Sequence, residues 1–161
     1  MSNTAALGAP QMAKADDIRH EITNLCSSQK LAVLCTQREN QPYASLVAFV
    51  ISYDLKYLYL ITPKTTRKYT NLAANPQVSV MINSSENQES DFHRAMAVTI
   101  IGSAAEISGH QRPHIINSYV EKHPYLEDFA KSPTCAVVQI KIKSYFLVKN
   151  FQNVMELHLH E

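Results

Sequence analysis

Apolar residues recur along this chain with two periods, and the points where one gives way to the other mark out its elements. Behind Asp16 and Asp17, the residues Ile18, Ile22, Leu25 and Cys26 repeat at helical spacing. They predict a first helix over about 14–28, with acidic residues at its positive end. From residue 31 the pattern shortens to runs rich in Val, Ile, Leu and Tyr: LAVLCT (31–36), PYASLVAFVIS (42–52) and KYLYLIT (56–62), parted by QRENQ and YDL. These predict three strands joined as an antiparallel meander. Further strands are expected at 77–83, 95–107 and 134–149, and helices at about 112–122 and 124–131. Thr66 is a good N-cap, and Tyr69, Leu72 and Ala73 supply a packing face, so a short helix is expected to start there and stop before Asn75-Pro76. The segment NSSENQESDFHR (83–94) has the composition of a mobile polar loop.

The sum is an α+β domain, mainly an antiparallel barrel with short flanking helices. It is expected to occupy residues 12–161 behind a flexible tail of small and polar residues at 1–11. Two strands carry more detail. In PYASLVAFVIS both alternating sets of residues are apolar, so the barrel core covers one face and a helix, a flat ligand or a partner chain covers the other. In the last strand Gln139, Lys141 and Lys143 alternate with Val138, Ile140 and Ile142, which marks it as half exposed.

With 161 residues, 45% of them apolar, the chain is long enough for one core and short for two. Lysine and arginine total 15 against 14 acidic residues, a net +1, so no global field draws the protein to nucleic acid or a membrane surface. Any anion must be met by a local cluster. Three cysteines without a C-x-x-C pair suit reduced thiols in the cytoplasm. No stretch approaches the roughly 20 apolar residues of a membrane span.

One such cluster is TPKTTRKYTNLAANP (62–76). Arg67 and Lys68 fall in the first turn of the expected helix, where cations oppose the helix dipole and an anion would reverse the balance. A phosphate there could take backbone N–H groups, a threonine hydroxyl, an arginine fork and a lysine ammonium together. A solvated basic helix start is the competing explanation. The chain has three glycines, Gly8, Gly102 and Gly109, and so has neither a Walker-type loop nor a dinucleotide fingerprint.

Residues 31–107 resemble the FMN-binding split barrels related to pyridoxamine 5′-phosphate oxidase. The resemblance rests on QPYAS opening the second strand, TRK at the helix start, NLAANPQVSVMI, and the Gly102 and Glu106 of GSAAEI. It implies a split β-barrel that pairs as a homodimer, with FMN in a cleft between subunits. Thr66, Arg67 and Lys68 would hold the phosphate, with Thr62 nearby, and the backbone of Ser45, Leu46, Val47 and Ala48 would border the flavin ring. The departures concern activity. Oxidases of this family carry arginine at the position of Ser45 and lysine at that of Val50, and an Arg-Gln pair where Met96 and Ala97 stand. They also use a C-terminal tryptophan, and this chain has none. These losses argue against oxidation of pyridoxamine phosphate. His93 or Arg94 from the polar loop could replace the missing charge at Ser45.

The resulting expectation is an FMN-dependent oxidoreductase that meets a small-molecule substrate or electron donor. The flavin supplies the redox chemistry, so no catalytic side chain and no metal ligand are named. A non-catalytic flavin carrier or sensor is one alternative; a haem-binding relative using His158 or His160 of ELHLHE is another. His110, His114 and His123 lie in a segment whose Ile115, Ile116, Tyr119 and Val120 form an ordinary packing face. Cys35 is expected as buried filler. Tyr57, Tyr59 and Tyr69 serve packing or flavin stacking equally well.

Overall fold

A computed structural model describes the backbone of residues 9–160 and side chains from residue 14. The elements in chain order are α1 (Ala9–Ser28), β1 (Leu31–Arg38), β2 (Gln41–Ile51), β3 (Tyr57–Pro63), α2 (Arg67–Ala74), β4 (Gln77–Asn83), α3 (Asp91–Arg94), β5 (Met96–Ile107), α4 (Gln111–Lys122), a 3-10 turn (Pro124–Leu126), α5 (Glu127–Lys131), β6 (Cys135–Lys149) and β7 (Asn153–His158). Every strand and helix expected from the periodicity is present within a few residues. α1 begins at Ala9, so part of the anticipated tail is helical; residues 1–8 lie outside the described residues. The polar segment 83–94 is more ordered than its composition suggests, because the Asp91 carboxylate accepts the backbone N–H groups of Glu86 and Gln88 and starts the single turn of α3. β7 was not anticipated as a strand in its own right.

The strands run β3-β2-β1-β4-β5-β6-β7, all antiparallel, and a further β3–β6 ladder closes the first six into a barrel. β6 is long enough to serve three neighbours: its first half pairs with β3, its last third with β7, and β5 runs along nearly all of it. The fold is the expected α+β barrel. Inside lie Leu34, Phe49, Leu58, Leu60, Val80, Ile100, Ile140 and Leu147, and α1 plugs the barrel with Ile18, Ile22 and Leu25. A second cluster packs α4 and α5, through Ile115, Ile116, Tyr119 and Ala130, onto Ile61 and Val137. Ala48 and Val50, on the outer face of β2, pack against this cluster. The doubly apolar strand is thus half explained within the chain. Nearer its start Leu46 stays 62% exposed, beside Val33 of β1, which is in turn opposite Met81 of β4. Cys35 is half-buried on this outer face instead of in the core, and all three cysteines are free.

The C-terminal end of α4 joins three elements. Lys122 Nζ lies 3.9 Å from the Phe49 ring centroid and donates to Cys26 O, in the last turn of α1, at 2.9 Å. His123 Nε2 bonds Phe49 O at 2.8 Å, so the neutral ring donates from that nitrogen. Burial pushes Lys122 down to about 8 and lowers His123 as well. Between about pH 8 and the ordinary lysine value of 10.5, the unfolded chain holds a proton that folded Lys122 has released, so this group's contribution to stability rises with pH across that window. Wild type should therefore gain about 1–2 kcal/mol on Lys122→Met between pH 8 and 10, after allowance for partial solvent screening. Urea unfolding at several pH values measures this, and a constant difference between the two proteins would contradict it.

Candidate functional site

The site is built where β3 runs into α2. Thr66 caps the helix with extended backbone, its Oγ1 accepting Tyr69 N at 3.4 Å and donating to Pro63 O at 2.9 Å. Thr62 lies beneath this cap, 1% exposed, with its hydroxyl 3.0 Å from that of Thr66. Because the Thr66 proton goes to Pro63, Thr62 is the donor in that pair. Its position supports the cap from below. The backbone N–H groups of Arg67 and Lys68 have no acceptor among the described residues, as expected for the first turn of a helix.

Three cations surround this start and have different neighbours. Lys64 is committed: its ammonium meets Glu106 Oε1 at 2.7 Å, while Tyr69 OH donates to Glu106 Oε2 at 2.6 Å. Bonds from Lys64 and then Tyr69 hold the Glu106 carboxyl below its usual range, and the same bonds raise Lys64 and Tyr69. Glu106 thereby ties β5 to α2. Arg67 lies over the Tyr43 ring, 5.3 Å from its centroid, and makes no ion pair among the described residues. Lys68 likewise has no ionic or hydrogen-bonding partner among them. Two unneutralised cations and two free N–H groups meet at one helix start, an arrangement whose electrostatics suit an anion.

β2 approaches this site with an open edge. Its ladder with β1 spans Gln41 to Ala48, but its ladder with β3 covers only Phe49, Val50 and Ile51. The backbone of Ser45–Ala48 therefore has no strand partner on the β3 side, which is where the barrel splits. Ser45 Oγ is buried there without a hydrogen-bond partner among the described residues, on the same face of β2 as Tyr43. An orphaned buried hydroxyl costs about 1–3 kcal/mol, so a ligand or bridging group at this position has a physical rationale. Of the residues named from sequence, Thr62, Thr66, Arg67 and Lys68 cluster at the helix start. Ser45, Leu46, Val47 and Ala48 follow Tyr43 along the open edge, and Tyr43 carries the Arg67 stack. Val47 points into the barrel core, and the Leu46 side chain points outward.

Sequence reasoning missed Asn71, which is buried on α2 and donates through Nδ2 to Thr36 Oγ1 at 3.1 Å. Ala73, expected on the helix's packing face, is exposed. The available signal was Thr36, a hydroxyl at an inward position of β1 that needed a polar neighbour. The side chains of His93 and Arg94 are exposed on α3. At the other end of the sheet, His158 accepts at Nδ1 from Ser144 (2.9 Å) and donates from Nε2 to Glu156 (2.9 Å). That Ser-His-Glu row links β6 to β7 across directly paired positions. Ser144 is buried, and the row serves as a cross-strand bond that occupies both imidazole nitrogens.

No curated protein sequence matches the chain. Solved structures share its fold. A haem-binding protein from Mycobacterium smegmatis superposes with a TM-score of 0.77 at 16% identity, covering 89% of this chain, which spans 57% of that protein. The haem storage protein HutZ of Vibrio cholerae gives 0.67 at 19% identity over 77% of this chain and 89% of its own. A FAD-binding protein of Mesorhizobium loti gives 0.62 at 20% identity over 80% and 91%. At such identities the likeness establishes the split barrel alone. No helix among the described residues is long and apolar enough to cross a membrane. Residues 18–149, from α1 through the end of β6, match the sequence pattern of the pyridoxamine 5′-phosphate oxidase family, and the chain belongs to that family.

Proposed function

We propose that the chain binds FMN and acts as a flavin-dependent oxidoreductase on a small molecule. The observation that carries this reading is the junction of the open β2 edge at Ser45–Ala48 with the unneutralised Arg67 and Lys68 of α2. Such a junction offers backbone groups to a planar, hydrogen-bonding ring and cations to a phosphate. When bound, the flavin supplies the electron transfer. The protein's own contribution is placement: Thr66 and Thr62 fix the helix start, Lys64 and Tyr69 brace it through Glu106, and Ser45 offers an unpaired hydroxyl. Pyridoxamine phosphate is a poor candidate substrate, because Val50, at the position of the family's substrate lysine, is packed against the second apolar cluster.

Titration of purified protein with FMN and riboflavin, followed by flavin fluorescence, tests the reading. FMN is expected to bind at least ten-fold more tightly, and indifference to both would overturn it. Reduction of the bound flavin by NAD(P)H with turnover of an acceptor separates an oxidoreductase from a carrier or sensor. The haem-binding neighbours favour a second reading, in which His160 or His158 meets haem iron. His158 has both ring nitrogens engaged, which leaves His160, beside Lys56 and Tyr57, as the freer of the two. The double change His158→Ala plus His160→Ala is expected to leave flavin binding unchanged; a haem absorption band that disappears in this variant would favour the second reading.

The proposal includes a homodimer and a cytoplasmic setting. Leu46, Val33 and Met81 form an apolar row across β2, β1 and β4, with Leu31 exposed at the start of β1. A second copy related by a two-fold axis would cover this row beside the open edge. Light scattering at micromolar concentration should give twice the mass of the chain, and Leu46→Asp should halve it. A wild-type protein that is monomeric yet binds flavin would refute the interface.

A further inference from the structure

A groove of about 540 Å³ runs between α2 and the β1–β2 hairpin, sharing Arg67 with the helix start and extending from it toward Arg38 and Gln41. The hairpin turns at Glu39 and Asn40, both with positive φ (52° and 63°), which brings Arg38 and Gln41 to its rim. Tyr43, Arg67, Thr70 and Asn71 line the rest. The volume lies within the roughly 300–1,000 Å³ typical of small-molecule sites. Charge in the groove is positive on balance, because two arginines line it against one carboxylate, Glu39, and Arg67 has no carboxylate partner among the described residues.

Two features indicate what would fit. Arg67 holds its guanidinium over the Tyr43 ring, 5.3 Å from the centroid, and a planar base can lie against this cation–aromatic pair. Asn71 is 5% exposed, and its amide is oriented by Thr36: the Thr36 hydroxyl has Tyr43 O as its acceptor at 3.5 Å, so it accepts from Asn71 Nδ2. Asn71 Oδ1 then has no hydrogen-bond donor among the described residues, in a side chain that borders the groove. A ligand here should carry an anion for the arginines, a flat ring for the stack, and an N–H or O–H donor for Asn71. A ribonucleoside phosphate has all three.

We propose that this groove is a nucleotide subsite, which takes a nucleoside phosphate lying beyond the flavin phosphate. The inference rests on the flavin reading above and extends it, since Arg67 belongs to both places and would sit between two phosphates. The nucleotide has two possible sources: the adenylate half of a flavin dinucleotide, or a separate adenine nucleotide beside bound FMN.

Affinities of the full chain for riboflavin, FMN and FAD, measured by fluorescence quenching, test this together with a calorimetric titration of ADP into FMN-saturated protein. The same titrations are run on Arg38→Ala and Gln41→Ala, which alter exposed rim residues. If the dinucleotide is the source, FAD binds at least ten-fold more tightly than FMN, and the rim variants erase that advantage while holding FMN within two-fold. If the nucleotide is separate, ADP binds the FMN-loaded protein and loses at least five-fold in affinity in Arg38→Ala. Equal binding of FAD and FMN together with no ADP binding overturns the subsite, and FMN still binding more tightly than riboflavin would then leave the flavin reading intact. Failure of every flavin to bind removes both. A FAD advantage untouched by either rim variant also refutes the groove, because the adenylate would then lie elsewhere.

Discussion

Replacing Arg67 and Lys68 together with alanine is expected to weaken FMN binding by at least about two orders of magnitude, while riboflavin affinity stays within about two-fold. Each change removes a charge-assisted contact to phosphate, worth roughly 1.5–3 kcal/mol, and about 1.4 kcal/mol corresponds to one decade. The fold should tolerate the loss. Neither residue forms an ion pair among the described residues, and both sit at the positive end of α2, where removing cations relieves a small repulsion. Riboflavin has the ring without the phosphate, so it separates damage to the anion site from damage to the β2 edge. Equal losses for the two ligands would mean that the ring site had been disturbed, and no loss for either would leave TTRK as a solvated helix start.

Gly102→Ala is expected to cost at least about 3 kcal/mol of stability or to prevent folding. β5 and β6 shift register between Ile101 and Gly102, and the strands press together there. A Cβ at this position would lie 2.5 Å from Lys141 O and 2.7 Å from Ile140 Cγ2. The first of these atoms belongs to the backbone of a strand held on both sides, so it has little room to yield. Overpacking of cores commonly costs about 1–3 kcal/mol, and a backbone obstacle belongs at the upper end or beyond. Gly109→Ala is the control, because Gly109 has a φ of 74° but open space around it. It should lose about 1 kcal/mol from backbone strain alone. Urea unfolding of the two variants measures the contrast, and a Gly102→Ala protein no less stable than Gly109→Ala would disprove the packing argument.

The fold was largely legible because the alternation in each strand matches which side is buried. Gln139, Lys141 and Lys143 face outward, while Val138, Ile140 and Ile142 are inside. The helix cap was legible too, since Thr66 can satisfy a free N–H only at that position. β7 was hidden because NVMELH has one firmly buried side chain, Leu157, and gains its place from pairing with β6. The site was half legible. Cations at a helix start are visible in sequence, but the sequence does not reveal that Glu106 takes Lys64 and leaves Arg67 and Lys68. The open edge was equally hidden, because it results from where the β2–β3 ladder stops. Arg38 and Gln41 read as turn material until the hairpin is folded against α2.

The closing β3–β6 ladder also sets an order on events at the ribosome. β3 is complete at Pro63, but the strand that covers its free edge begins only at Cys135. At roughly 5–20 residues per second, translation leaves that Leu- and Tyr-rich edge without its partner for about 4–14 s. By the end of this interval β1 to β5 have all been made and can form a curled but open sheet, with two exposed edges able to pair with a neighbouring chain. β6 ends the exposure on both sides at once, because it joins β3 and β5 together. A ribosome stalled before residue 135 would therefore present an aggregation-prone sheet, and completion of this one strand joins its two ends into the split barrel.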